Sequence, residues 1–461
     1  MLRVTTVSLR EVFHGRRGFF LAAMLAAEFG GAMQGLAYAT VLPVVARELD
    51  GFGLFGATLA SGPIASVLML SVTSAVLARV RPVQVLAIAT VGYVVGALMT
   101  ALASAMIWVL AGTVVRGVAG GLIAGFGVGV IGALFDERER PRVFGLYAMI
   151  WLVPSLVGPL LNAGITEWVG WRWALAWPAV LVVSARIAMG RYVDLVPWDR
   201  SRELAHPGPG LLTALGLAAG AAGSAAPAPW GPVLLGGGVL ASAVGTVVFL
   251  ERTLAHRPLL RLFAPFTLVC AAFFGLYEVL SVIMLEGLGR TLVWSSAAVT
   301  GSLFAWALVG LKPRPHARPD VVVVGSVLIL AGLAVITSAV LALEGTAAPV
   351  SVVAGGTIAG VGMGLAYPVL SSSLFDVPDS PRASTIGAAS AFAETAGMAW
   401  AALVAGGIFS AAHLAGVEAR PALGAALGPL VLVAVVAVVL SARRKGRGSA
   451  DPAREDLDAR A

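Results

Sequence analysis

The chain has 461 residues, of which 59% are hydrophobic and only 12% charged, with a formal net charge of +7 and a mean hydropathy of +0.92. Soluble domains carry about 25% charged residues, so the usual solvated surface is missing and a lipid-facing exterior is the natural reading. One cysteine, Cys270, excludes an intrachain disulfide and a multi-cysteine metal site; inside an apolar run it reads as a packing residue.

A helix needs about 20 apolar residues to cross the hydrocarbon core. The basic start (Arg3, Arg10, Arg16, Arg17) runs into the first such stretch without a small-residue cleavage site, so that span is expected to be retained. Six spans are predicted over 18–46, 53–78, 82–104, 106–135, 143–166 and 173–190. A polar stretch, 191–210, precedes two short spans rich in glycine and alanine, 211–226 and 231–250. The first of these is the weakest and is also compatible with a re-entrant segment. After a basic loop, 251–261, six more spans follow over 263–285, 293–311, 321–343, 350–375, 383–412 and 422–442. The charged tail, 443–461, reads as disordered. The fold class expected is an all-α polytopic membrane protein of fourteen transmembrane helices.

Charge tests that count. With both termini in the cytoplasm, only Arg47, Arg172, Arg290 and Arg420 of the 31 lysines and arginines fall outside, and Arg116 lies within a span. Lysine and arginine alone set the positive-inside bias, and here it is one-sided. Arg186, near a helix end, is taken to snorkel to the cytoplasmic surface. The 56 glycines fit close helix crossings, with hinge-like bending as the alternative.

Ionisable groups inside a span cost about 2.5–3.5 kcal/mol to insert on translocon scales, so each is a functional hypothesis. There are four: Glu28 in the first span, Arg116 in the fourth, and Glu278 and Glu394 in the ninth and thirteenth. Glu28 stands in Ala-Ala-Glu-Phe-Gly-Gly, whose small residues admit a helix, water or a cationic substrate. The alternative is a neutral, hydrogen-bonded packing glutamate, and Glu278 and Glu394 share that alternative. Arg116 keeps its proton in proteins and needs an acidic or carbonyl partner, for which Glu28 lies at similar depth. Aromatic residues with polar tips, Tyr38, Trp151, Tyr277, Trp306 and Tyr367, are candidates to line a central cavity, together with Gln34 and Asn162; each is also a packing residue. The five histidines (His14, His206, His256, His316, His413) read as loop or tail residues without ligand spacing, so no metal is expected. No phosphate-cradling Gly-x-x-x-x-Gly-Lys-Ser/Thr run occurs, so neither ATP nor another cofactor is expected. The basic loops read as orientation signals, not as a nucleic-acid surface.

Several runs resemble the major facilitator superfamily, in particular its fourteen-span drug:proton antiporter branch. Ala39-Thr40-Val41-Leu42-Pro43 is similar to that branch's first-helix signature, and Arg116-Gly117-Val118-Ala119-Gly120 resembles its Arg-x-x-Gln-Gly motif with Ala119 for glutamine. Gly158-Pro159-Leu160-Leu161-Asn162-Ala163 is similar to the Gly-Pro-x-x-Gly-Gly antiporter motif, with Asn162-Ala163 for the glycine pair. Gly170-Trp171-Arg172-Trp173, Pro258-Leu259-Leu260 and Gly362-Met363-Gly364-Leu365-Ala366-Tyr367-Pro368 extend the likeness. The family's loop between spans 2 and 3 is degraded: Arg79 is kept, but Ala78 and Arg81 replace its aspartate and second glycine, and Gln34 stands for the branch's span-1 aspartate.

The resemblance implies a six-helix bundle over 1–190, a linker with two inserted helices over 191–262, a second six-helix bundle over 263–442 and a cytoplasmic tail over 443–461. It further implies rocking of the bundles about a midplane cavity, with Gly158, Pro159 and Arg79 as conformational motifs. The expected function is secondary active transport: export of hydrophobic or cationic small molecules, such as drugs, in exchange for protons. Glu28 and Arg116 would carry the coupling, Glu278 and Glu394 acting in second place. A dedicated, uncoupled exporter or exchanger of one metabolite, lipid or siderophore is the alternative, and a non-transporting scaffold or sensor a further one. A monomer in a bacterial inner membrane, partnered by the lipid bilayer, protons and a small-molecule substrate, completes the expectation.

Overall fold

The computed structural model describes residues 9–136, 139, 143, 146–147, 149–198, 207–226, 229–311, 319–375, 377, 381 and 383–448. Fourteen long helices occur among them: α1 Gly15–Glu48, α2 Phe55–Arg79, α3 Pro82–Ala101, α4 Met106–Leu134, α5 Leu152–Trp168, α6 Trp171–Gly190 and α7 Pro207–Ser224. The series continues with α8 Trp230–Leu254, α9 Arg257–Val282, α10 Leu292–Gly310, α11 Pro319–Ala342, α12 Ala347–Ser373, α13 Ala383–Leu414 and α14 Ala419–Gly448. Twelve are long and apolar enough to cross a membrane; the other two are α5 and α7. The chain is a multi-pass membrane protein. In lipid every backbone polar group must be satisfied within its own segment, which is why apolar runs of this length emerge as helices.

Several boundaries differ from expectation: α5 begins at Leu152 where 143 was expected, and α9 at Arg257 where 263 was expected. Residues 443–448, expected in the tail, continue α14, whereas 449–461 lie outside the described residues. The segment that could have been re-entrant is the continuous helix α7, paired along its length with α8. Gly216 and Gly223 of α7 meet the α8 backbone there, a small-residue contact that lets two helices approach closely.

Helices α1–α6 pack on one another, as do α9–α14. The groups meet along two seams, α2 with α13 and α5 with α10, and α1 also touches α9 and α10. Helix α9 is the most enclosed of the twelve membrane-type helices, and Cys270 at its centre is fully buried. A π-helical turn, Ile283–Gly287, follows it.

At the end remote from Gly15 and Gly448 the groups are fastened together. Gly56 lies so close to Gly406 that a Cβ would collide with the opposing backbone. Ser410 Oγ donates to the Phe52 carbonyl at 2.8 Å and accepts from the Gly56 amide at 2.9 Å. Phe52, Phe55, Phe409 and His413 stack around that point, which places His413 in the last turn of α13 rather than in a loop. Arg47 of α1 pairs with Glu286 through Nε at 3.1 Å. Ion pairs at the terminal end, Arg16–Asp194 and Arg17–Glu139, stay within the first group.

The hairpin α7–α8 lies over the α2/α13 seam and touches both helices. Gly210 abuts Ser71 of α2. On the other side Phe249 stacks on Phe392 of α13 at 3.9 Å, and Trp400 Nε1 donates to Ser242 Oγ at 2.7 Å.

Candidate functional site

At 100° per residue, Glu28, Gly31, Gly35 and Tyr38 form one stripe of α1, about 15 Å long at 1.5 Å per residue. A Cβ built on Gly31 or Gly35 would meet no atom within 4 Å, so the stripe borders open space. Phe29, on the opposite face, lines a lateral groove with Leu181 of α6. The stripe therefore faces the interior of the helix assembly.

Glu28 Oε1 accepts a hydrogen bond from Trp151 Nε1 at 3.2 Å, joining α1 to the residue that opens α5. Trp151 packs against Trp306 of α10 with ring centroids 6.2 Å apart. Trp306 in turn meets Phe273, Phe274 and Tyr367 edge-on or tilted at 5.8–6.1 Å. The Tyr367 hydroxyl donates to Glu394 Oε2 at 3.0 Å. Five residues thus make a continuous path, Glu28–Trp151–Trp306–Tyr367–Glu394, from α1 to α13 across the α5/α10 seam. Tyr367 directly precedes Pro368 inside the continuous helix α12.

Glu278 sits on α9 beside Tyr277, whose ring packs edge-on against Phe274 at 6.4 Å. No hydrogen bond joins Glu278 to Glu28 or Glu394 among the described residues.

The expected contact between Arg116 and Glu28 is not formed. Arg116 reaches from α4 to the face of Tyr38, with Cζ 4.1 Å from the ring centroid, and its Nε and Nη1 are buried without a hydrogen-bond partner. Arg186 does not snorkel: at 5% exposure it lies between α6 and α3, donates from Nη1 to the Ala89 carbonyl at 2.9 Å and stacks on Tyr93 at 5.0 Å. Helical side chains lean toward the helix N-terminus, which near the C-terminal end of α6 means into the membrane, away from the surface. That lean was the signal in the sequence for a buried arginine.

Gln34 and Asn162 are structural ties. Gln34 Nε2 donates to the Leu175 carbonyl at 3.0 Å, and its Oε1 accepts from the Tyr93 hydroxyl at 3.1 Å. Asn162 is fully buried and accepts from Trp177 Nε1 at 3.0 Å. Tyr93 and Trp177, missed in the sequence, are visible only through these bonds. Gly158 packs under Met33 and Leu36 of α1, and the Pro159 carbonyl accepts from Ser296 Oγ of α10 at 3.0 Å. Arg79, the last residue of α2, is exposed and joins no ion pair among the described residues. No group of three or more metal-ligating side chains occurs among the described residues.

Residues 19–405 match the Major Facilitator Superfamily. An MFS-type transporter of Aspergillus terreus is 37% identical over 89 residues, covering 19% of this chain and 16% of that protein. The MFS-type transporter ppz2 of Metarhizium majus is 23% identical over 156 residues, covering 33% and 26%. The chain thus aligns with no more than about a quarter of the length of these curated relatives. Among solved structures, the human organic anion transporter MFSD10 (TETRAN) superposes with a TM-score of 0.61 at 13% identity, over 91% of this chain and 99% of that one. A bacterial homolog of the human lysosomal transporter Spinster, inward-facing and occupied, gives 0.59 at 15% identity, over 92% and 96%. The match over most of its length, carried on an all-helical membrane fold, shows that this chain belongs to the Major Facilitator Superfamily of transporters and is not an enzyme.

Proposed function

We propose that this transporter is a fourteen-span, proton-coupled exporter of hydrophobic or cationic small molecules, working as a monomer in a bacterial inner membrane with both termini in the cytoplasm. Residues 1–190 and 263–442 form its two moving bundles, and 191–262 carries the inserted hairpin. The observation that carries this reading is the path from Glu28 through Trp151, Trp306 and Tyr367 to Glu394. Each carboxylate is held by a neutral donor, Trp Nε1 or Tyr Oη, and neither group joins an ion pair among the described residues. A carboxylate held this way is free to bind a proton or a cation, and aromatic faces beside it attract quaternary and delocalised cations. Because the path crosses the seam, rocking of the bundles stretches or breaks it, which couples site occupancy to access.

Transport of a cationic dye in proteoliposomes under an imposed pH gradient tests the proposal. Gradient-driven uptake that Glu28→Gln abolishes, with the protein still monodisperse, supports antiport. Uptake indifferent to both gradient and substitution sinks it. That result selects the uncoupled, dedicated exporter, a reading favoured by the unpaired, exposed Arg79 and by Gln34 standing where the resemblance calls for an aspartate.

A further inference from the structure

The α1 stripe has two chemically different ends. Glu28 stands at one, against Trp151. At the other, about 15 Å away, Tyr38 lies under the Arg116 guanidinium. Three donors at that end are buried without a hydrogen-bond partner: Arg116 Nε, Arg116 Nη1 and the Tyr38 hydroxyl. Arg116 is 9% exposed, and its side chain passes over Gly96 of α3, where no Cβ obstructs it. A second buried cation, Arg186, stacks on Tyr93 just behind, with its own Nε unpartnered. Tyr93 is bonded to Gln34, one turn from Tyr38, so the two arginines belong to one cluster.

No carboxylate pairs with either arginine among the described residues. A guanidinium removed from water loses strong hydration, and only an anion or a full set of acceptors compensates it. Carbonyl contact satisfies one nitrogen of Arg186; the Tyr38 ring face offers Arg116 a cation–π contact but no hydrogen-bond acceptor. The cluster thus holds buried guanidinium donors with no acceptor opposite them.

We propose that the Arg116–Tyr38 end of the stripe binds a carboxylate-class anionic group of the transported molecule, so that the preferred substrates are zwitterions whose cationic, aromatic part lies toward Glu28 and Trp151. Gly31 and Gly35 form the floor on which the connecting part of the molecule lies. The inference rests on the transport reading above for its route into the site, and on the unpartnered donors for its chemistry.

A matched pair of dyes tests it. Rhodamine 110 carries a delocalised cation and a free carboxylate; rhodamine 123 is its methyl ester and keeps only the cation. Fluorescence anisotropy on the purified, detergent-solubilised protein gives both affinities at one pH. The acid is expected to bind about tenfold tighter than the ester, the order of a charge-assisted hydrogen bond. Arg116→Gln brings that ratio to about one, Arg116→Lys retains part of it, and Glu28→Gln weakens both dyes alike. Equal binding of acid and ester by the unmodified protein overturns the proposal, and so does a ratio that survives Arg116→Gln, because water would then satisfy the arginine. Should Arg116→Gln not remain monodisperse, Tyr38→Phe decides: it keeps the ring under the guanidinium and removes one donor, so an unchanged ratio in that variant counts against the site. Failure of gradient-driven rhodamine 123 transport with the acid preference intact overturns proton-coupled cation export alone; loss of the preference with that transport intact overturns the anion site alone.

Discussion

The two helix groups treat buried charge in opposite ways. The first buries cations: Arg116 and Arg186 lie inside α4 and α6 with tyrosine faces and a carbonyl against them and, among the described residues, no carboxylate in an ion pair with either. The second holds two half-buried carboxylates, Glu278 and Glu394, the latter accepting from the Tyr367 phenol, with no arginine in an ion pair with either among the described residues. The first group has carboxylates too: Glu139 is buried at the terminal end against Arg17, and Glu28 accepts from Trp151, which packs on the second group. The difference teaches where each half finds compensation. Neutral donors suffice for a carboxylate that can take up a proton, whereas a permanent cation has no such recourse and waits for an acceptor. One fold thereby presents an acid end and a basic end to the same open stripe.

Three measurements break or sharpen this contrast. The largest effect is expected at the insertion, which is fastened differently to each half: a glycine contact to α2, a stacked ring pair to α13. Phe392 is fully buried, so Phe392→Ala should lower stability by about 3–5 kcal/mol, read as the unfolding free energy in mixed micelles. A loss under 1 kcal/mol would show that the ring pair contributes little to holding the hairpin on the second half. Next comes Tyr367→Phe, which keeps the ring against Trp306 and removes the donor to Glu394. A hydrogen bond to a charged group contributes about 1.5–3 kcal/mol and a neutral one about 1 kcal/mol. A cost in the upper range, measured the same way, identifies a carboxylate that is ionised in the resting protein. The smallest effect is expected for Arg186→Met. Replacing a buried charge that lacks an ionic partner by an apolar side chain of similar length is often neutral or stabilising, so stability should change by less than about 1 kcal/mol. A large loss would mean that Arg186 already has its acceptor, and the contrast between the halves would fall.

Much of the fold was legible in the sequence. Apolar runs mark where each of the long helices lies, though α5 begins at Leu152 where 143 was expected and α9 at Arg257 where 263 was expected, because a helix in lipid must satisfy its own backbone and cannot be short. The α7 segment was ambiguous because glycine and alanine lower its hydropathy. The same glycines let α8 approach, so the feature that weakened the signal is what holds the pair together. The end of α14 was misplaced because charge marks where water begins, not where hydrogen bonding in a helix stops.

Candidate residues were legible by type and not by partner. An ionisable group inside a span announces itself by its cost of insertion, so Glu28, Arg116, Glu278 and Glu394 stood out from composition alone. Arg186 did not, because its place near a helix end concealed a side chain aimed inward.

Sequence by itself therefore determined the class of molecule, the positions of its helices and the short list of costly charges, because each follows from the energy of one residue or one segment in lipid. Tertiary structure decided which charge meets which group. Trp151 rather than Arg116 holds Glu28, Tyr38 supports Arg116, and Tyr367 holds Glu394. Those choices depend on helix rotation and on which faces meet across a seam, and rotation is set by packing between segments far apart in the chain, which no single segment encodes.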